Sequence, residues 1–219
     1  INLNFGIMPL FYQHNIDGNT RLAIWKIEEP EAFFLDQVSL QQAITHPYKR
    51  LQYLAARWLL PLLFPDFPLS SIQLTETQKP ILPGGEFQFS LSHAGNYAAA
   101  IVSRQKQVGI DIELESPRIW SIVPKFLTEA ELNFLLEWRD MEKLRLQLTT
   151  ILWSGKEALF KWYGKGKVDF RRHMQLNGPV VYHSNERIQL PFLFLRQQPV
   201  ELMLEARIFD PLVLTWVVT

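Results

Sequence analysis

The chain has 219 residues, 22 Lys plus Arg against 22 Asp plus Glu, no cysteine, and 47% hydrophobic residues. That length accommodates one large domain or two small ones, and that hydrophobic content supports a packed core and excludes a disordered chain. Balanced charge gives no general argument for nucleic acid or an anionic membrane, the lack of cysteine excludes disulfides, thiolate catalysis and Cys-type zinc sites, and no apolar run reaches the ~18 residues that cross a bilayer. A cysteine-free chain with no visible signal peptide fits a reducing compartment, and a cytoplasmic location is the expectation.

Residues 3–12 form an apolar, aromatic run that predicts a strand. Asn15, Asp17, Gly18 and Asn19 make a turn, and residues 21–27 a second strand with Leu22, Ile24 and Trp25 inward. Pro30 ends it. Residues 31–44 carry helical patterning, with Phe34, Leu35, Val38 and Ala43 as the expected buried face. Pro47 opens a helix over 48–64 whose stripe is Leu51, Leu54, Ala55, Trp58, Leu59 and Leu62, and Pro61 is expected to kink or end it. Arg50 and Arg57 are seven apart and share a side of that helix; the plain reading is solvated surface. A short strand over 72–76 leads to the turn Gln78-Lys79-Pro80, where Lys79 alone reads as an exposed turn lysine. Residues 87–92 alternate as a strand, with Phe87, Phe89 and Leu91 on one face and Ser92 and His93 at its end. Residues 97–103 and 108–113 read as a hairpin turned at 104–107.

The second of those strands, Val108-Gly109-Ile110-Asp111-Ile112-Glu113, alternates with a period of two. Asp111 and Glu113 then share one face, and two carboxylates side by side repel unless something positive lies between them. Thr128 with Glu131 forms a capping box, and the helix it starts is expected to run through Leu132, Leu135 and Leu136 into the charged stretch 137–145. Residues 149–163 make the second principal helix. On it Lys156, Glu157, Phe160 and Lys161 recur at intervals of three and four, so one turn gathers two cations and a carboxylate. The organising hypothesis is that Glu157 joins Asp111 and Glu113 around a divalent metal. Gly164 ends the helix, and Gly164-Lys165-Gly166-Lys167 is not a Walker loop, since it follows a helix and lacks the spacing. Strands are expected over 176–182, 192–195, 200–208 and 213–218, punctuated by Pro191, Pro199 and Pro211. The fold class is α+β, in two halves over 1–107 and 108–219, each an antiparallel sheet packed with a long helix.

Three motifs in this order and spacing resemble the 4'-phosphopantetheinyl transferases, in the larger pseudo-dimeric class typified by the surfactin-synthetase-activating enzyme. That family shows F-N-x-S-H-S, then G-I-D-I-E, then W-S/T-x-K-E-A/S-x-x-K. The chain has F-S-L-S-H-A from Phe89 to Ala94, G-I-D-I-E from Gly109 to Glu113, and a complete third motif from Trp153 to Lys161. Ser90 stands for Asn and Ala94 for Ser, and Gln78-Lys79-Pro80 stands where the family has G-K-P. The resemblance runs from about Lys49 to about Lys167.

The resemblance implies a pair of pseudo-twofold α+β halves in a monomer that transfers 4'-phosphopantetheine from coenzyme A to a serine of an apo acyl or peptidyl carrier protein, as a holo-[acyl-carrier-protein] synthase type enzyme serving fatty-acid, polyketide or nonribosomal-peptide synthesis. It implies magnesium held by Asp111, Glu113 and Glu157, with Glu157 as base and Lys161 beside it. It implies that Lys79, Ser92, His93, Lys156 and Lys161 contact the coenzyme, with Arg50 and Arg57 as approximate matches. Lys165, Lys167, Arg171 and Arg172 are candidates for carrier docking. Neither nucleic acid nor membrane is an expected partner. A metal-dependent nuclease needs Lys two residues after the second acid, where this chain has Glu115. The alternative is a non-catalytic module that binds coenzyme A or a carrier protein.

Overall fold

The computed structural model describes residues 10–41, 43–184 and 186–219. The strand expected over 3–12 lies outside the described residues up to position 9; from there β1 runs Leu10–Asn15. The chain divides into two compact units, one holding the described residues up to Gln73 with Pro80–Gln105, the other Leu74–Lys79 with Lys106–Thr219. Both combine an antiparallel sheet with a long helix, which is the α+β class expected.

In the first unit β1 pairs with β2 (Thr20–Lys26), where Leu22 to Trp25 are all fully buried. Helix α1 covers only Glu31–Leu35, followed by α2 (Pro47–Leu63) and the short strands β3 (Gln73–Leu74) and β4 (Pro80–Ile81). Strands β5 (Gln88–Ala94) and β6 (Tyr97–Ser103) complete a sheet in the order β1-β2-β6-β5. Alternation turns Trp25, Ala98, Ala100 and Val102 toward Leu54, Ala55 and Leu59 of α2, and the alanines let the helix lie close. Leu22, Ile24 and Ile101 on the opposite face are also fully buried.

The expected helix over 31–44 stops at Leu35. Beyond it stand Asp36, β-branched Val38 and Ser39, poor helix formers, although Val38 still packs into the core. Leu35 is exposed, as is Ala43. Pro47 does open α2 at its first turn, and Pro61 sits inside the last turn without ending it.

In the second unit β7 (Val108–Leu114) does not form the expected hairpin with β6. β6 pairs with β2 and β5, whereas β7 pairs with β12 (Leu212–Val218). The reason is turn chemistry: Gly95, at φ +49°, supplies the tight turn between β5 and β6, while residues 104–107 contain no glycine. Gln107 and Thr219 exchange backbone bonds of 3.0 Å each, extending the β7–β12 ladder.

After β7 come α3 (Val123–Phe126), α4 (Glu129–Leu136), α5 (Glu142–Tyr163), α6 (Phe170–His173), β8 (Met174–Leu176), β9 (Val181–Tyr182), β10 (Ile188–Phe194) and β11 (Val200–Phe209). The sheet order is β7-β12-β11-β10-β8, with β9 also on β10. The capping box at Thr128 and Glu131 forms as expected. α4, however, ends at Leu136, and residues 142–145 of the charged stretch belong to α5, whose 22 residues begin well before 149. Leu148, Ile151, Leu152, Leu159 and Trp162 form its buried stripe against Phe192, Leu204, Ala206 and Val213. Gly164 closes it at φ +68°. Pro191 lies inside β10, not at its end. Its carbonyl accepts Asn177 N–H at 2.8 Å, so its missing N–H faces the gap between β8 and β9. No helix among the described residues is long and apolar enough to cross a membrane.

Candidate active site

β7 turns Gly109, Asp111 and Glu113 toward α5 and Ile110 and Ile112 to the other face, where both are buried. Gly109 lets the two elements meet. A Cβ there would lie 2.1 Å from the carbonyl oxygen of Ala158 and 2.8 Å from Cβ of Trp162. Helix and strand backbones are therefore in contact, and the next side chains along β7 reach α5 directly.

Asp111 is almost fully buried, and its Oδ1 accepts a charged bond from Lys161 Nζ at 2.7 Å. Glu113 Oε1 accepts from the indole N–H of Trp153 at 2.8 Å. Burial pushes Glu113 up to about 7, the charge of Asp111 adds to this, and the Trp153 bond and Lys161 oppose it. Glu157 is likewise raised to about 7 by burial and then by Asp111, with Lys161 opposing. The three carboxylates and Lys161 thus act on one another, as the periodicities of strand and helix require. Their hard oxygens suit magnesium in kind. Among the described residues, though, no three Asp, Glu or His side chains stand close enough to hold an ion together as they are placed.

Lys156 departs from its expected role. It is fully buried, and its ammonium donates to Phe126 O at 2.6 Å, Glu131 Oε2 at 2.7 Å and Phe170 O at 3.4 Å. All three N–H groups are used inside the fold, so none is left for a phosphate. Burial lowers its pKa and Glu131 opposes the shift. Glu131, read only as a cap, also accepts Leu176 N–H at 2.9 Å. Nothing in the helical spacing of Lys156 distinguishes an inward lysine from an outward one; the clue is a buried acid on another helix.

Lys79 follows a turn in which Gln78 takes φ +62°, the left-handed conformation that glycine adopts more easily. The lysine lies over Gly164, where a Cβ would meet its Nζ at 2.5 Å, and it donates to Trp162 O at 3.4 Å. It is a half-buried cation at the C-terminal end of α5, and burial lowers its pKa. Lys165, Lys167, Arg171 and Arg172 are exposed on the segment that follows.

In the first unit, Ser92 is buried and His93 exposed near the end of β5. Arg50 and Arg57 have different surroundings despite sharing a helix. Arg50 makes a two-pronged ion pair with Glu31 at 2.7 and 2.8 Å and donates to Ile44 O. Arg57 is 7% exposed, stacks 3.4 Å over the ring of Tyr53, and its pKa is lowered by burial.

A model of the 4'-phosphopantetheinyl transferase superfamily matches residues 107–200. The chain is 31% identical over 150 residues to the 4'-phosphopantetheinyl transferase AcpT of Escherichia coli K12, a match covering 66% of this chain and 73% of that protein. It is 31% identical over 116 residues to the L-aminoadipate-semialdehyde dehydrogenase-phosphopantetheinyl transferase of Homo sapiens, covering 46% of this chain and 37% of that one. The Mus musculus protein of the same name is 31% identical over 108 residues, covering 43% and 35%. The chain spans about a third of the length of these two mammalian relatives.

Proposed function

The chain belongs to the 4'-phosphopantetheinyl transferase superfamily, and from that premise we propose that it moves 4'-phosphopantetheine from coenzyme A to a serine hydroxyl of an apo acyl or peptidyl carrier protein. The serine oxygen bonds to the phosphorus that bears pantetheine, the pyrophosphate P–O bond breaks, and adenosine 3',5'-bisphosphate leaves. The observation that carries the reading is Glu157, a half-buried carboxylate raised to about 7 within reach of the charges of Asp111 and Lys161.

A base with a pKa near the working pH is the most effective acceptor of a proton in the transition state. Glu157 takes the serine proton, and Lys161 places positive charge near the phosphoryl oxygens. Lys79 and the Ser92–His93 pair bind coenzyme phosphates. Asp111, Glu113 and Glu157 would hold magnesium, and the ion would supply charge neutralisation for the pyrophosphate. Lys156 has no part in coenzyme binding in this reading, and Arg50 is engaged by Glu31. Phosphoryl transfer of this kind needs alignment and charge more than covalent chemistry, and a rigid strand–helix contact is suited to alignment.

The test is transfer of label from coenzyme A carrying a tagged pantetheine to purified apo carrier proteins of the acyl and peptidyl kinds. Labelled carrier is expected with magnesium present. Coenzyme binding without label transfer to any carrier would instead indicate a binding module.

A further inference from the structure

Ser154 on α5 and Thr215 on β12 are both fully buried, and their hydroxyls meet at 2.9 Å. Their surroundings are apolar. Val213 and Val217 flank Thr215 on the same face of its strand, Ile151 and Ala158 stand one turn either side of Ser154, and all four are buried. Thr215 is the one hydroxyl residue in a strand otherwise built from Leu, Val and Trp, where valine would have the same shape and strand preference. Replacing two bonded hydroxyls by apolar groups of that shape is close to neutral or stabilising, so stability alone does not call for this pair. Its location is more telling. Thr215 stands opposite Asp111 in the β7–β12 ladder. Ser154, Glu157 and Lys161 follow one another at intervals of three and four and share one face of α5. That face is therefore bonded to the same cross-strand row at two points, one on each side of Glu157: Ser154 to Thr215 on β12, and Lys161 to Asp111 on β7.

We propose that Ser154 and Thr215 are a positioning pair, which fixes the rotation of α5 about its own axis and so presents Glu157 beside Asp111. The inference rests on the site reading given above, in which Glu157 is the base. The apolar contacts between α5 and the sheet are non-directional, so they tolerate a range of helix rotations. A hydrogen bond has a preferred length and angle, and a hydroxyl left alone in an apolar interior is disfavoured. Only rotations that join the two hydroxyls satisfy both. Lys161 does not set the rotation by itself, because its flexible four-carbon stem lets the ammonium follow Asp111 through several helix positions. Serine, with a single carbon before its oxygen, has no such reach.

The experiment compares the full chain with its double variant Ser154→Ala/Thr215→Val by label-transfer kinetics, calorimetry with coenzyme A, thermal melting and crystal structure. The double variant should melt at or above the wild-type temperature and bind coenzyme A as the wild type does. Its kcat should nevertheless fall by about tenfold or more, since a displacement on the order of an ångström at the reacting groups is enough for that. Its crystal structure should show α5 turned, with Glu157 displaced from Asp111. Each single variant strands one buried hydroxyl and should melt below the double variant. Thr215→Ser keeps the hydroxyl and should keep the wild-type kcat. An unchanged kcat in the double variant, an unchanged placement of Glu157, or a melting temperature below that of the wild type overturns the proposal, the last by assigning the pair to holding the fold. A wild type that labels no carrier overturns the site reading instead, and the placement of Glu157 in the two crystal structures then decides the positioning role on its own.

Discussion

Glu113 and Glu157 stand at about 7 in the folded protein, against an ordinary value of 4.5. Between those values the folded chain binds more protons than the unfolded one. Their contribution to stability is therefore full below about 4.5 and is lost as pH rises through about 7. With metal chelated, the melting temperature should fall between pH 5 and pH 8, and Glu113→Gln should flatten the fall; a profile rising over that range would contradict the assignment. The same elevated value bears on catalysis. Glu157→Gln keeps the size and one acceptor oxygen but cannot take a proton. Its transfer rate should drop by at least ~10² while coenzyme A still binds, and the acid limb of the pH–rate profile should change. Lys161→Ala should slow transfer and keep that limb, since the lysine acts only as a charge. Loss of coenzyme binding by Glu157→Gln with full rate recovered at high magnesium would make Glu157 a ligand and not the base. At this scale the acidic face was legible, because a period of two in G-I-D-I-E leaves Asp111 and Glu113 no choice but to share a side. The fate of Lys156 was not, because it depends on Glu131, which lies on another helix and presents itself locally as a cap.

Strand β7 and helix α5 meet only because residue 109 lacks a side chain. The Ala158 carbonyl would be 2.1 Å from any added Cβ, and backbone on both sides has no way to yield short of separation. Gly109→Ala should therefore destabilise the chain by ~1–3 kcal/mol or more, as overpacking does. It should also reduce transfer further than the stability loss explains, because it moves Glu157 and Lys161 away from Asp111. Denaturant titration with activity measured under fully folded conditions separates the two effects, and a variant as stable and active as the wild type would show that the helix does not need this approach. Elements with strong local signals were read correctly: the α2 start at Pro47, the Thr128–Glu131 box, and the glycine end of α5. Elements decided by distant partners were not. The charged stretch 137–145 read as the tail of α4, yet α4 ends at Leu136 and residues 142–145 open α5, whose Leu148 packs with Ile151 and Leu152. β7 looked like the neighbour of β6 in sequence, but its partner is the last strand of the chain.

Across the molecule, a net charge of zero conceals local asymmetry. Lys165, Lys167, Arg171 and Arg172 lie exposed in one short segment, with Phe170 between them packed on Trp153. In our reading this segment meets an acidic carrier, so Arg171→Glu with Arg172→Glu should raise the carrier KM by about tenfold or more, through two charge reversals in a salt-screened contact. Coenzyme A affinity should be unchanged, and a carrier KM insensitive to both reversal and salt would place docking elsewhere. The α+β class was legible from alternation and stripe periodicity alone. The division of labour along the last third was not, since Pro191 reads as a break and is in fact built into β10. That proline has a consequence for life in a crowded solution. The sheet beyond β10 is not one long strand but two fragments, β8 and β9, separated by a loop in which Gly178 approaches Pro191. A continuous outer strand would offer an unbroken row of amides and carbonyls to any neighbouring copy, the template from which fibrils grow. Here the row is cut into pieces of three and two residues, too short to recruit a stranger's strand.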